Sequence, residues 1–314
     1  KYIDFMNQVR FIEVTEEYDG QRLDNFLQRE LNGVPRTRVY RLLRKGEIRV
    51  NKGRVKADYR VSTGDLVRLP PMREAERTEL TTVPQRWSRL LETALIYEDR
   101  DLWVLNKPSG LAVHGGSGLN FGMIECLRLL RPQERFLELV HRLDRDTSGC
   151  IMIARRAAAL KDLHRQLRED RIDKTYLALA EGHWSAKRTF VEAPLVKNTV
   201  KSGERLVRVE QGGKASRTEF RVLSRFADCT LVEAKPITGR THQIRVHAQH
   251  AGHPLLGDDK YGTREGDQWA REHGLKRLFL HAEKLAFHSL EGRRIEVKAP
   301  LEVSVENFLQ KIPK

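Results

Sequence analysis

Hydrophobic positions along the chain change their period more than once. Leu23, Phe26, Leu27 and Leu31 follow the spacing of a helix with one buried face. A second helix is predicted over PRTRVYRLLRKG. Pro35 suits a first helical turn, Val39, Leu42 and Leu43 form the apolar stripe, and Gly46 ends it. Short strands are expected at 48–51 and at Leu66–Leu69, the latter behind the Gly64-Asp65 turn. Residues 71–90 are rich in Pro, Thr and charge and carry neither period, so they read as a linker.

From residue 91 onward, strands and helices mix. An apolar strand at 102–105 runs into a Lys-Pro-Ser-Gly turn, and two apolar segments flank a polar loop at 144–149. Leu160, Leu163 and Leu167 place a helix over 157–168. KTYLALAEG, SRTEFRVLSRF and CTLVEAKP are strand-like, and a helix is expected to begin near Thr241. A hairpin turning at Glu291-Gly292 and a short C-terminal helix close the chain. Strands do not alternate strictly with helices. The prediction is therefore α+β, with a mixed, mostly antiparallel sheet flanked by helices and loops rather than a doubly wound one. The expected organisation is a small unit over 1–70 with an N-terminal strand, a linker over 71–90 and a larger domain over 91–314.

Composition narrows the function. At 314 residues and 39% hydrophobic, the chain can bury a substantial core, which excludes general disorder. No apolar run approaches the ~20 residues of a membrane span. The N-terminal KYIDFMNQVRFIEV has no continuous apolar core of a signal peptide, and without an initiating Met a few native residues are expected to precede it. Three cysteines without a CxxC pair point to a reduced, cytoplasmic protein. The net charge of +14 attracts polyanions, and nucleic acid is the commonest of these in the cytosol. Residues 35–46 sharpen this point. Arg36, Arg38, Arg41, Arg44 and Lys45 crowd one helix with no carboxylate among them, whereas a solvated face usually mixes signs. Phosphate would relieve that repulsion, so RNA or DNA backbone contact is expected here.

The loop HRLDRDTSG at 141–149 carries the candidate chemistry. Asp144 and Asp146 follow a buried segment, Arg142 and Arg145 flank them, and Thr147, Ser148 and Gly149 supply turn chemistry. Taken alone, the loop reads equally well as an Asp-capped turn. Other constellations are weaker. His242, His247, His250 and His253 do not share one helix face, which argues against a metal site. His141, Asp144 and Ser148 lack a nucleophile elbow. Cys150 opens the apolar run CIMIA and reads as an inert buried thiol. No phosphate-cradling GxxxxGKS and no dinucleotide fingerprint occur.

Two resemblances organise these observations. RLDNFL…VPRTRVYRLLRKGEIRVN…GDLV resembles the S4 RNA-binding domain, a small alpha-L-like module, over about 60 residues. H-R-L-D-x-x-T-S-G resembles the central motif of the RluA family of pseudouridine synthases. KPSG at 107–110, Lys174-Thr175-Tyr176, GRTHQIRVH at 239–247, HPLLGDDKYG at 253–262 and RLFLHAEKLAF at 277–287 follow in the family's order. Nearly the whole chain is covered, with no departure from the core motifs.

The resemblance implies an isomerase that detaches uracil from C1′, rotates it and rejoins it through C5, with no cofactor and no metal. It implies Asp144 as the essential carboxylate, Arg245 as its buried cationic partner and Tyr176 as the ring that stacks on the target base. On the expected helix, His242, Arg245 and Gln249 share a face toward the site while Ile244, Ala248 and Ala251 pack. Arg142 is expected to fill the space of the displaced base or to hold phosphate. Leu255 and Leu256 are expected to wall the pocket, and Lys107 to support it through turn geometry. The S4 extension resembles that of the family's large-subunit enzymes, which implies 23S ribosomal RNA or a precursor of the large subunit as partner. A monomer is expected.

Overall fold

The computed structural model describes residues 9–31, 34, 36–71, 82–115, 121–187, 189–199 and 205–314. Pro35, the expected helix start, and 72–81 of the expected linker lie outside the described residues, as does the side chain of Arg36. The chain divides into two compact units, residues 1–79 and 80–314.

The first unit contains β1 (Arg10–Glu13), α1 (Leu23–Glu30), α2 (Arg36–Lys45), β2 (Arg49–Val50) and β3 (Leu66–Leu69). The strands form an antiparallel sheet in the order β1-β3-β2. Leu23, Phe26, Leu27 and Leu31 join Val39, Leu42 and Leu43 in one core, as their spacing predicts. A buried carboxylate ties the helices together: Asp24 accepts from the Tyr40 hydroxyl at 2.6 Å and from two nitrogens of Arg22 at 3.0 and 3.1 Å.

The second unit opens with α3 (Gln85–Glu92), β4 (Leu95–Glu98), β5 (Leu102–Lys107), α4 (Met123–Leu130), β6 (Glu138–Leu139) and β7 (Ser148–Ala154). Then come α5 (Ala157–Arg168), β8 (Asp173–Glu181), β9 (Phe190–Glu192), β10 (Leu195–Thr199), β11 (Arg205–Val209), β12 (Arg217–Arg225) and β13 (Cys229–Pro236). It ends with α6 (Gln243–His250), α7 (Arg264–Glu272), β14 (Leu280–His288), β15 (Arg294–Lys298) and α8 (Val303–Lys311). The large sheet runs β4-β5-β7-β14-β8-β13-β12-β9, with β15 beside β14 and β6 beside β7. Only its β7–β14 pairing is parallel among the described strands, giving a mixed, mostly antiparallel sheet. α+β is therefore the fold class.

Two expectations are corrected. The stretch 71–90 contains most of α3. The helix forms because Leu91 and Trp87 pack on the core around β5 and α4, a contact that local composition does not reveal. On α6, Ile244, Ala248 and Ala251 pack together in one hydrophobic cluster as expected, but Gln249, expected to share the face of His242 and Arg245, is exposed near the end of the helix. Among the described residues, no helix is long and apolar enough to cross a membrane.

Candidate active site

The polar loop before β7 is held by a buried staple. Lys107, fully buried at the end of β5, donates to the carbonyls of Pro108, Leu111 and Arg145 at 2.8–2.9 Å. Burial pulls its ammonium down to about 7, while all three of its protons find acceptors that favour the charged form. Ser109 Oγ donates to the Asp146 carbonyl at 2.7 Å, and the Gly110 N–H to the Arg145 carbonyl at 2.9 Å. The KPSG turn thus fixes the loop at the consecutive carbonyls of Arg145 and Asp146.

Within the loop, the two carboxylates part company. Asp146 is taken up by its neighbour Arg145, which donates to both its oxygens at 3.0 and 3.2 Å. Asp144 instead lines a cavity of about 390 Å³, a size suited to a small ligand such as one nucleoside. Arg142, Tyr176, His242 and Arg245 line the same cavity. Arg142 is exposed at its mouth. Tyr176, on β8 opposite Ala234, packs between two core clusters. Burial, then the Asp144 charge, push its phenol well above the ordinary value, so it stays protonated at neutral pH. Burial, reinforced by the charge of Lys174, pushes His141 down to about 3, and its neutral Nε2 accepts the Met152 N–H at 3.1 Å.

Arg245 is 2% exposed, and the partner expected for it is not its main one. It forks onto Asp258, Nε to Oδ2 at 2.7 Å and Nη2 to Oδ1 at 2.6 Å, while Nη1 reaches Asp144 Oδ2 at 3.5 Å. The Tyr261 ring lies 5.0 Å from its guanidinium carbon. Burial works against the cation, but the hydrogen bonds and charge of Asp258, and then the charge of Asp144, hold it above its usual value. Asp258 also accepts the backbone N–H groups of Lys260 and Tyr261. Sequence reasoning missed this residue. It sits in the quoted HPLLGDDKYG segment, and a buried arginine on α6 was itself the signal that a second carboxylate was needed.

Burial pulls His242 below its ordinary value. The Asp144 charge opposes this, whereas those of Arg245 and Lys260 add to it. Leu255 and Leu256, expected to wall the cavity, do not line it. Leu255 bridges to β8 at Ala180 and both are buried in separate hydrophobic clusters. The alternative constellations dissolve as well. Ser148 Oγ meets His281 and Arg277 rather than His141, and burial pushes the Cys150 thiol up to about 12. The His247 ring is engaged by Ser216 and Thr218, while His253 bonds the Glu181 carbonyl. Among the described residues, no three His, Cys, Asp or Glu side chains are grouped to hold a metal. In the first unit, Arg41, Arg44 and Lys45 of α2 are exposed and Arg38 is half-buried.

An aromatic face, a loosely held carboxylate and a buried arginine around a nucleoside-sized cavity, on a chain with a basic helical unit, define an enzyme of nucleic-acid modification. The RNA pseudouridylate synthase family pattern matches residues 101–250, and that of the S4 domain matches residues 21–67. The chain is 51% identical over 313 residues to the ribosomal large subunit pseudouridine synthase C of Vibrio cholerae, covering 98% of each. It is 53% identical over 309 residues to the same-named protein of Escherichia coli K12, covering 97% of each. Human RNA pseudouridylate synthase domain containing 1 superposes at a TM-score of 0.58 and 27% identity, covering 74% of this chain and 100% of that one. The chain belongs to the RNA pseudouridylate synthase family, with an S4 domain in front. It is an isomerase that converts uridine in RNA to pseudouridine.

Proposed function

We propose that the protein isomerises specific uridines of 23S ribosomal RNA, with Asp144 as the essential carboxylate, Tyr176 as the stacking surface for the base and Arg245 as the charge partner of Asp144. The ribosomal target rests on relatives named for the large subunit and on the S4 domain. The catalytic assignment rests on one observation, the asymmetry of the bonds around Arg245. Asp258 takes its fork, and Asp144 is met by a single nitrogen at 3.5 Å. A carboxylate locked in a bidentate pair has little left to offer a substrate. One held loosely beside a fixed cation keeps lone pairs free for nucleophilic or basic work.

The reaction breaks N1–C1′ and forms C5–C1′. C5 loses a proton and N1 gains one, so the atoms balance within the nucleotide and water. The target base must leave its stack, at a cost of a few kcal/mol, and stacking on an aromatic face returns roughly 1–3 kcal/mol. The Tyr176 phenol, kept protonated by its surroundings, supplies that face. Arg142, at the cavity mouth, is placed to hold phosphate or the vacated space.

The test is tritium release from 23S transcript labelled at uridine C5. Release is expected from the wild type and none from Asp144→Ala, which keeps its RNA affinity. Near-normal release by Asp144→Ala or Asp144→Asn would overturn the assignment. Release from tRNA in place of 23S RNA would overturn the target.

A further inference from the structure

His242 enters α6 in the left-handed conformation, φ 52°, which residues carrying a Cβ adopt sparingly. Its ring stands between Asp144 and Tyr261. Nε2 lies 3.8 Å from Asp144 Oδ1, and Nδ1 lies 2.7 Å from the Tyr261 hydroxyl, with the two rings edge to face. That hydroxyl accepts the buried Val207 N–H of β11 at 3.0 Å. Arg245 reaches the other oxygen of the same carboxylate, Oδ2.

Proton placement follows from what each atom can do. A carboxylate can only accept. Were the imidazole proton on Nδ1, the Nε2 lone pair would face Asp144, and the Tyr261 hydroxyl proton would have no acceptor among the described residues. The opposite assignment satisfies every group. Val207 N–H donates to Tyr261, Tyr261 O–H donates to Nδ1, and Nε2–H points at Asp144.

We infer that His242 is a positioning residue for the known reaction: a neutral imidazole, fixed as the Nε2–H tautomer by Tyr261, steadies Asp144 Oδ1 while Arg245 steadies Oδ2. The contact of 3.8 Å is longer than a hydrogen bond, as catalytic contacts often are before substrate is bound. One weak donor on each oxygen sets the aim of the carboxylate without occupying it. Tyr261 therefore serves twice, packing under Arg245 and choosing the tautomer of His242.

The inference rests on Asp144 being the reacting carboxylate, and its test keeps the two apart. His242→Gln places an amide nitrogen where Nε2 stood, whereas His242→Asn places one near Nδ1. His242→Asn and Tyr261→Phe are expected to lower kcat roughly tenfold to a hundredfold, the effect of one hydrogen bond to a charged group, with RNA affinity within about twofold. His242→Gln recovers most of what His242→Asn loses. Nitrogen-15 spectra of histidine-labelled wild type should show Nδ1 bare and Nε2 protonated at neutral pH, and Tyr261→Phe should give mixed tautomers. Equal kcat in the Gln and Asn variants, or an Nδ1–H or doubly protonated ring in the wild type, would overturn the inference. Turnover by Asp144→Asn would instead overturn the functional reading beneath it.

Discussion

Arg245 is tolerable inside this fold because of Asp258. An unpaired guanidinium at this depth would cost several kcal/mol, and four hydrogen bonds to Asp258, two of them from Arg245, offset that cost. Asp258→Ala is expected to destabilise the second unit by about 3–5 kcal/mol, lowering Tm by roughly 6–10 °C, because the contacts left to Arg245, with Asp144 at 3.5 Å and with the exposed Asp259 at 3.6 Å, are both long. Thermal unfolding checks this, and a Tm within about 2 °C of wild type would show that Arg245 finds another partner. The same variant should also lose turnover, since Arg245 would no longer be fixed beside Asp144.

The strand β7 explains why the loop before it cannot drift. All seven of its residues are buried, and it pairs in parallel with β14 at His281 and Ala282. At Gly149 that pairing is so close that an added Cβ would lie 2.3 Å from the Ala282 carbonyl oxygen, and φ is 107°. Gly149→Ala therefore has to separate two central strands as well as strain its own backbone. Loss of soluble folded protein is expected, or a Tm lowered by at least about 6 °C, equivalent to about 3 kcal/mol. An unchanged Tm would show that the sheet centre is more pliable than the packing implies. Ser148 beside it carries Arg277 and His281, and Lys107 pins Arg145 from the other side. The motif loop is thereby fixed at both ends by buried polar groups.

Two properties belong to the molecule as a whole. The first is its charge of +14, to which α2 contributes five cations and no carboxylate, with Arg41, Arg44 and Lys45 exposed. Replacing Arg36, Arg38, Arg41 and Arg44 by Ala should weaken RNA binding and flatten the plot of log affinity against log salt. The slope should fall by about 0.7–0.9 for each phosphate contact removed. An unchanged slope would exclude α2 from phosphate contact. The second property is acid sensitivity. Burial lowers His141, His247 and His281 below the ordinary histidine value. Below about pH 6.5 the unfolded chain binds protons that the native state refuses. Stability is therefore fully present above that pH and is lost as pH falls, by up to about 1.4 kcal/mol per pH unit for His141, whose native value lies at about 3. Tm should hold between pH 7.5 and about 6.5 and drop from there to pH 5, and a flat profile would show that these rings protonate within the fold.

The sequence alone determined what short stretches of chain decide. The spacing of Leu23, Phe26, Leu27 and Leu31 set α1, the leucines of 157–168 set α5, and turn residues set the hairpin of β14 and β15, because period and turn chemistry act over a few residues. The HRLDRDTSG and GRTHQIRVH segments were legible because motif order needs no geometry. Tertiary structure alone decided the rest. It bound Asp146 to Arg145, gave the fork of Arg245 to Asp258, sent Leu255 and Leu256 into the core, and set the His242 ring between Asp144 and Tyr261. Each of these is a competition between partners. Burial and close approach settle it, and neither is written in local sequence.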